Sequence, residues 1–219
     1  TLVTKDQCIT YGDNMRKIFI DGGANQGQST RAFLKQWPRS MEYEIFMFEP
    51  EPQGNLKSLL TSMLMNKKIK LHPEAIWTYD GKITFYEKRS GSEGNTLLKE
   101  KTKQDTKLFS KREVSCICLS KWIKENFTKE DYIILKLDIE GAEYEVMKDL
   151  DQNGIFEYVD KFFCEIHGLK CGKSFEESME LINICTKNKI IPYRWDGNTF
   201  RYDIYKTKKY SKDHMIKEY

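Results

Sequence analysis

Short apolar runs alternate along most of the chain with stretches whose apolar residues recur at helical spacing, the pattern of a mostly parallel sheet covered by helices. Lys17 to Asp21 predicts a buried strand, Gly22 to Gly27 a turn, and Gln28 to Gln36 a helix stopped by Pro38. A second strand is expected over Tyr43 to Phe48, a helix over Asn55 to Met65 and a third strand over Ile69 to His72. Ala75 to Trp77 and Lys82 to Tyr86 flank a Tyr79-Asp80-Gly81 turn, as in a hairpin. Ser90 to Arg112, with two glycines and many lysines, reads as a long loop, and a loop of that length is often a lid or binding element.

Further on, Glu113 to Leu119 suggests a strand, and Ser120 suits the cap of a helix through Asn126. Tyr132 to Asp138 predicts a strand, Ala142 to Leu150 a helix and Val159 to His167 another strand. Ser174 caps a helix reaching about Asn188. Ile190 to Trp195 and Phe200 to Lys206 bracket an Asp196-Gly197-Asn198 turn and read as a terminal antiparallel hairpin. The expected architecture is α/β: a Rossmann-like, mostly parallel seven-stranded sheet with helices on both faces and that hairpin at its end.

Composition narrows the class. A chain of 219 residues suits one domain, with its core from about residue 16 to 206. Its 36 basic and 33 acidic residues nearly cancel, and no aromatic-basic stripe appears, so a nucleic-acid partner is not expected. The six cysteines form no CxxC pair, which argues against structural zinc. Neither a membrane span nor a signal peptide is visible, so a cytoplasmic location is expected. The first residue is Thr1, and a module of a larger polypeptide, joined to glycosyltransferase modules, is the expected context.

Candidate chemistry begins at Asp21-Gly22-Gly23-Ala24-Asn25-Gln26-Gly27, between a strand and a helix, where glycines let a ligand approach backbone N–H groups. As Gly22-x-Ala24-x-x-Gly27 it resembles a dinucleotide fingerprint, which keeps an NAD-dependent oxidoreductase as an alternative. As Asp-x-Gly-x-Asn-x-Gly it resembles the first motif of class I methyltransferases, with Asp21 beside the cationic methionine portion of the cofactor. Glu49, directly after the second strand, stands where a carboxylate accepts from ribose hydroxyls, with Glu51 a neighbour that could substitute. Glu74, Ala75 and Ile76 are candidates for an adenine pocket.

Lys136-Leu137-Asp138-Ile139-Glu140-Gly141-Ala142-Glu143 crowds three acids and a lysine at a strand end and the first turn of a helix. Taken with Asp21 to Gly27 and Phe48-Glu49-Pro50, this motif resembles the FkbM family of methyltransferases. The Gly91 to Leu98 segment, Leu119 to Trp122 and Glu165-x-His167 add to the match, which runs from about Arg16 to Tyr205. The resemblance implies a class I fold, S-adenosylmethionine as donor (S-adenosylhomocysteine as product) and an oxygen acceptor, with several members modifying sugars. A sugar or glycan hydroxyl, for example on a deoxyhexose such as rhamnose, is the expected acceptor; a non-catalytic nucleotide-binding module is the other alternative.

Cofactor contacts are assigned to Asp21, Gly23, Asn25, Gly27, Glu49, Glu74, Ala75 and Asp138. A sugar hydroxyl is a poor nucleophile, so a base or a metal is required. His167, with an ordinary pKa near about 6.5, is the first choice of base. Asp138 orients it or serves as base itself, and Lys136 lowers the alkoxide's charge. Asp138, Glu165 and His167 also make an oxygen-and-nitrogen set for Mg²⁺ or Mn²⁺, as some sugar methyltransferases use. Ser92, Asn95, Thr96, Glu140 and Glu165 are expected at the substrate. Trp195, with Trp77 and Tyr193, is a candidate for stacking on a sugar ring. The local alternative for Glu140 and Glu143 is that they complement a helix N-terminus.

Overall fold

The computed structural model describes residues 15–51, 68–88, 95–99, 109–167, 171–193 and 195. Six strands form a wholly parallel sheet: β1 (Lys17–Gly22), β2 (Glu44–Phe48), β3 (Ile69–His72), β7 (Tyr132–Leu137), β8 (Val159–Cys164) and β9 (Pro192–Tyr193), in the order β3-β2-β1-β7-β8-β9. The chain thus builds outward from β1 in one direction and then restarts at β7 in the other. Between the carboxyl ends of β1 and β7 lies the switch point, where open α/β sheets leave a crevice for ligands. A second sheet holds β4 (Ala75–Trp77), β5 (Gly81–Lys88) and β6 (Phe109–Cys118) in the order β4-β6-β5.

Alternation along the central strands feeds two cores. Ile18, Ile20, Phe46, Phe48, Ile133, Leu135, Leu137 and Phe162 point to the face covered by α2 (Leu119–Asn126), α3 (Glu143–Gln152) and α4 (Phe175–Lys187). Phe19, Ile45, Met47, Ile134 and Phe163 point to the other, where α1 (Gln28–Gln36) inserts Ala32 and Phe33. Both faces of each central strand are buried, which is why these strands read as continuous apolar runs. Helix boundaries follow local chemistry. Trp37 is extended before Pro38, as a residue preceding proline prefers, and its N–H closes α1 on the Phe33 carbonyl. Ser174 and Glu177 form a reciprocal capping box at the start of α4. None of the helices among the described residues is long and apolar enough to cross a membrane.

Four expectations change. β4 and β5 do not form a hairpin: β6 lies between them, parallel to β4 (Ala75 beside Cys116) and antiparallel to β5 from Gly81–Cys116 to Lys88–Phe109. The loop expected before Glu113 is therefore strand from Phe109, its alternation masked by Lys111 and Arg112 in a stretch that stays largely open to solvent. Ser120 lies inside α2, whose cap residue is Cys118, and shares a contact with that thiol at 3.2 Å. Of the terminal hairpin, the first arm is β9, which runs parallel to β8; residues 200–206 and the helix expected at 55–65 lie outside the described residues.

The aromatic stack on the α1 face centres on Phe33, 4.1 Å from Phe19 and 5.7 Å from Trp37 between ring centroids. Phe33→Ala should lower the unfolding free energy by about 3–5 kcal/mol in urea denaturation, whereas Met41→Ala, at a side chain 63 % exposed, should shift it by less than about 0.5 kcal/mol.

Candidate functional site

The glycine turn after β1 is held from two sides. Gly23 and Ala24 donate backbone N–H bonds to the Phe48 carbonyl at the end of β2, and Asp138 N–H donates to the Gly22 carbonyl. At Gly23 (φ 74) a Cβ would collide with the Asp138 carbonyl, so glycine alone lets the turn lie against the end of β7. Asn25 sits at φ 47, the left-handed region that asparagine tolerates. Its N–H donates to Glu49 Oε2 at 2.8 Å, and Glu51 N–H donates to Glu49 Oε1 at 3.0 Å. Each carboxylate oxygen keeps a lone pair for a further donor. Burial pushes the Glu49 carboxyl above the usual range despite these two bonds.

Asp21 and Lys136 are register partners across β1 and β7 and point the same way. Both side chains are essentially inaccessible, and Lys136 Nζ lies 3.1 Å from Asp21 Oδ1 and 3.6 Å from Asp138 Oδ2. Nζ also donates to the Gly22 and Gly23 carbonyls at 3.3 and 3.1 Å, while Thr30 Oγ1 donates to Asp21 Oδ2 at 2.7 Å. Burial pulls the ammonium down, but Asp21 and Asp138 outweigh it and Lys136 stays above its ordinary pKa. Asp21 and Lys136 thus serve as a clamp beneath the glycine turn, and Lys136 is engaged by Asp21, Asp138 and two carbonyls rather than left free for an alkoxide.

The motif after β7 folds around Glu143, which is fully buried. Its Oε1 accepts from Ile139 N–H at 2.8 Å and its Oε2 from Gly141 N–H at 2.7 Å, so Glu143 shapes the loop rather than merely complementing a helix dipole. Oε1 also meets His167 Nδ1 at 3.2 Å. The other imidazole nitrogen, Nε2, faces Asp138 Oδ1 (3.8 Å), Glu140 Oε2 (3.7 Å) and Glu165 Oε1 (3.8 Å). His167 is only 3 % exposed, while these three carboxylates are open by 24–27 %. Burial opposes the imidazolium, yet Glu143 and then the surrounding carboxylates prevail and raise His167 to about 9. An imidazole titrating there carries its proton at neutral pH and offers a positive charge to the three carboxylates. Burial and then the charge on Asp138 push Glu165 up to about 7, and burial likewise lifts Asp138.

Asp138, Glu140 and His167 each offer a ligand atom, all within 4.8 Å of one another, so Glu140 rather than Glu165 completes the tightest set that a hard cation could use. A metal there would have to displace the imidazolium proton.

Other expected residues are placed elsewhere. Trp195 is 1 % exposed and packs on Phe19 and Phe163, with Tyr193 tilted on Phe163, so neither forms a sugar platform. Ala75 packs with Phe85, Val114 and Cys116 in the small sheet's core, and Ile76 is buried in the main core, so neither forms an open adenine wall. Glu74 is partly exposed and lies 3.7 Å from His72, which stacks on Phe48. Asn95 Oδ1 accepts from Lys88 N–H, and Thr96 Oγ1 donates to the Glu140 carbonyl at 2.6 Å, which commits both to protein contacts. Ser92 lies outside the described residues. Thr30, the clamp's third member, was missed; its only signal is a polar residue on the buried side of α1.

Because the folded imidazole titrates near 9 and an unfolded one near about 6.5, its pairing stabilises the fold fully below about 6.5 and loses that contribution as pH rises through 9. The difference in unfolding free energy between wild type and His167→Gln should therefore shrink from pH 6 to pH 10 in urea denaturation. A pH-independent difference would contradict the pairing.

Comparison with known proteins identifies the family. The model of the methyltransferase FkbM domain matches residues 21–188, from the clamp aspartate through the end of α4. The crystal structure of methyltransferase FkbM from Methylobacillus flagellatus KT is similar over 65 % of this chain and 30 % of that one, at 17 % identity and a TM-score of 0.39. No curated protein matches the sequence. The domain match spans most of the chain and both motif regions, and the protein belongs to the FkbM methyltransferase family.

Proposed function

We propose that the protein is an S-adenosylmethionine-dependent O-methyltransferase acting on a hydroxyl of a sugar or glycan. The observation that carries this reading is the group of three partly open carboxylates around a buried imidazolium, at the carboxyl ends of β7 and β8 and beside the glycine turn. Membership of a methyltransferase family removes the reason to keep hydride transfer as an alternative.

The turn fits the donor. Glu49 presents two lone pairs where ribose hydroxyls would donate, and the clamp of Asp21, Lys136 and Thr30 fixes the turn below it. When bound, the donor supplies a methyl group on a sulfonium, which needs no further activation. Asp138, Glu140 and Glu165 accept hydrogen bonds from a polyol and so orient one hydroxyl in line with that methyl. A rim of acids repels phosphate, which favours a neutral acceptor over a nucleic acid. Glu165, titrating near 7, accepts the hydroxyl proton, and the fixed positive charge of His167 stabilises the developing alkoxide. In this reading no metal is required, since His167 already supplies the cation beside the reacting oxygen.

Calorimetric titration with S-adenosylhomocysteine tests the cofactor, and transfer of labelled methyl from S-adenosylmethionine to a panel of free sugars tests the acceptor. Wild type should bind S-adenosylhomocysteine, and Glu49→Ala should weaken binding by about ten- to a hundredfold through the loss of charge-assisted hydrogen bonds. Absence of binding beside clear binding of NAD would overturn the proposal. On whichever sugar is methylated, Glu165→Gln should lower kcat by about 10²–10⁴ and remove the rising limb near pH 7. Retention of that limb would move the base to Asp138.

A further inference from the structure

Glu140 is a non-glycine residue at φ 55, a left-handed conformation that a glutamate does not adopt unless its surroundings impose it. The conformation matters because it turns the Glu140 side chain toward His167 Nε2, 3.7 Å away, while the chain continues through Gly141 (φ 106) into α3. Three contacts act on this point. Glu143 holds the amides of Ile139 and Gly141 on either side. The Cys171 thiol lies 3.6 Å from the Glu140 carbonyl. The shortest of the three comes from outside the parallel sheet: Thr96 Oγ1 donates to the same carbonyl at 2.6 Å.

Thr96 is itself rigidly placed. It is 1 % exposed, its N–H and carbonyl exchange bonds with Tyr86 on β5 at 3.0 and 2.8 Å, and its hydroxyl accepts from Leu98 N–H at 3.1 Å. Leu98 in turn packs so close to Gly141 that a side chain there would strike it. The segment 95–99 is therefore anchored to the three-stranded sheet at one end and pressed on the Glu140–Gly141 turn at the other.

We propose that Thr96 is a positioning residue: its hydroxyl holds Glu140 in the left-handed conformation that aims the carboxylate at His167, and so ties the three-stranded sheet to the acceptor site. The part concerning the acceptor rests on the function proposed above; the link from Thr96 to His167 does not. The imidazole reports the link, because Glu140 is one of the carboxylates that face it: Glu143 stands at Nδ1, Asp138, Glu140 and Glu165 at Nε2, and Lys136 behind Asp138. If Glu140 swings away, one carboxylate is lost from Nε2 and the imidazolium is less favoured.

The test follows the His167 ring protons by NMR across pH in wild type, Thr96→Val, Thr96→Ala, Thr96→Ser and Glu140→Gln. The titration midpoint should fall by at least about half a unit in Thr96→Val and in Glu140→Gln, and should fall no further when the two are combined. Thr96→Ser should restore the wild-type midpoint. Thr96→Ala, which removes the hydroxyl without adding bulk, serves should the valine variant not fold. A midpoint unchanged in a folded Thr96→Val or Thr96→Ala protein would overturn the link, whatever the protein methylates. Loss of S-adenosylhomocysteine binding in wild type would instead overturn the function while leaving the titration result intact. Where a sugar is methylated, Thr96→Val should raise KM for that sugar more than it lowers the affinity for S-adenosylhomocysteine, a split that general loosening of the fold would not produce.

Discussion

The site depends on one buried ion pair. Asp21 and Lys136 meet across neighbouring parallel strands at the place where the strand order reverses, and neither is accessible to water. Ions withdrawn from water in this way are costly unless every polar atom is engaged. Here Thr30 donates to one aspartate oxygen, the ammonium donates to the carbonyls of Gly22 and Gly23, and its charge lies 3.1 Å from the other aspartate oxygen, which it meets as an ion pair. The consequence reaches beyond stability. Those carbonyls belong to the glycine turn, so the pair that joins β1 to β7 also fixes the backbone a cofactor would meet. Removing one partner would leave the other charged and buried, a change that typically costs about 3–5 kcal/mol and would loosen the turn at the same time.

A second layer of charge rests on this clamp. Asp138 lies two residues beyond Lys136, just past the end of β7, where the alternation of the strand still places both on one side, and it faces both the ammonium and the imidazolium. Glu143 reaches back from the first turn of α3 to hold His167 and two loop amides. The left-handed Glu140 costs about 1–2 kcal/mol of backbone strain, which the surrounding bonds offset. Strain of this kind persists only where several contacts over-determine the backbone, and at Glu140 they come from three separate parts of the chain.

Much of this is legible in the sequence. The continuous apolar runs of β1, β2 and β7 announced strands buried on both faces, and the acid-rich end of β7 announced a site, because acids crowd at a strand end only at a cost. What periodicity could not give was the partner of each charge. Lys136 is read from sequence as a lysine near a substrate; only the β1–β7 register shows that it is spent on Asp21. His167 is read with an ordinary pKa, since the carboxylates that raise it, Glu143, Glu140 and Asp138, belong to the segment after β7 and meet the ring only once β7 and β8 pair. Trp195 carries the apolar and aromatic character of a sugar platform, and that same character makes it core when it meets Phe19 and Phe163. The β4–β5 hairpin failed for a topological reason: the strand that separates them is supplied from further along the chain.

The balance of charge also bears on the direction of the proposed reaction. Among the described residues, Asp21, Asp138, Glu140, Glu143 and Glu165 stand against Lys136 and His167, so the acids there outnumber the cations even with Glu165 half protonated. A pocket of that sign favours a cationic sulfonium over the neutral thioether left after methyl transfer. The preference weakens product binding without any movement of the chain. If the hydroxyl proton stayed on the acceptor, the positive charge would pass from sulfur to an oxonium on the methylated oxygen, a high-energy cation. Glu165 removes that obstacle in the proposed reaction: as it takes the proton, one negative charge disappears from the rim in the same step as the positive charge on sulfur. The net charge of the pocket and its contents is then conserved through the reaction, and the buried pair beneath it need not rearrange.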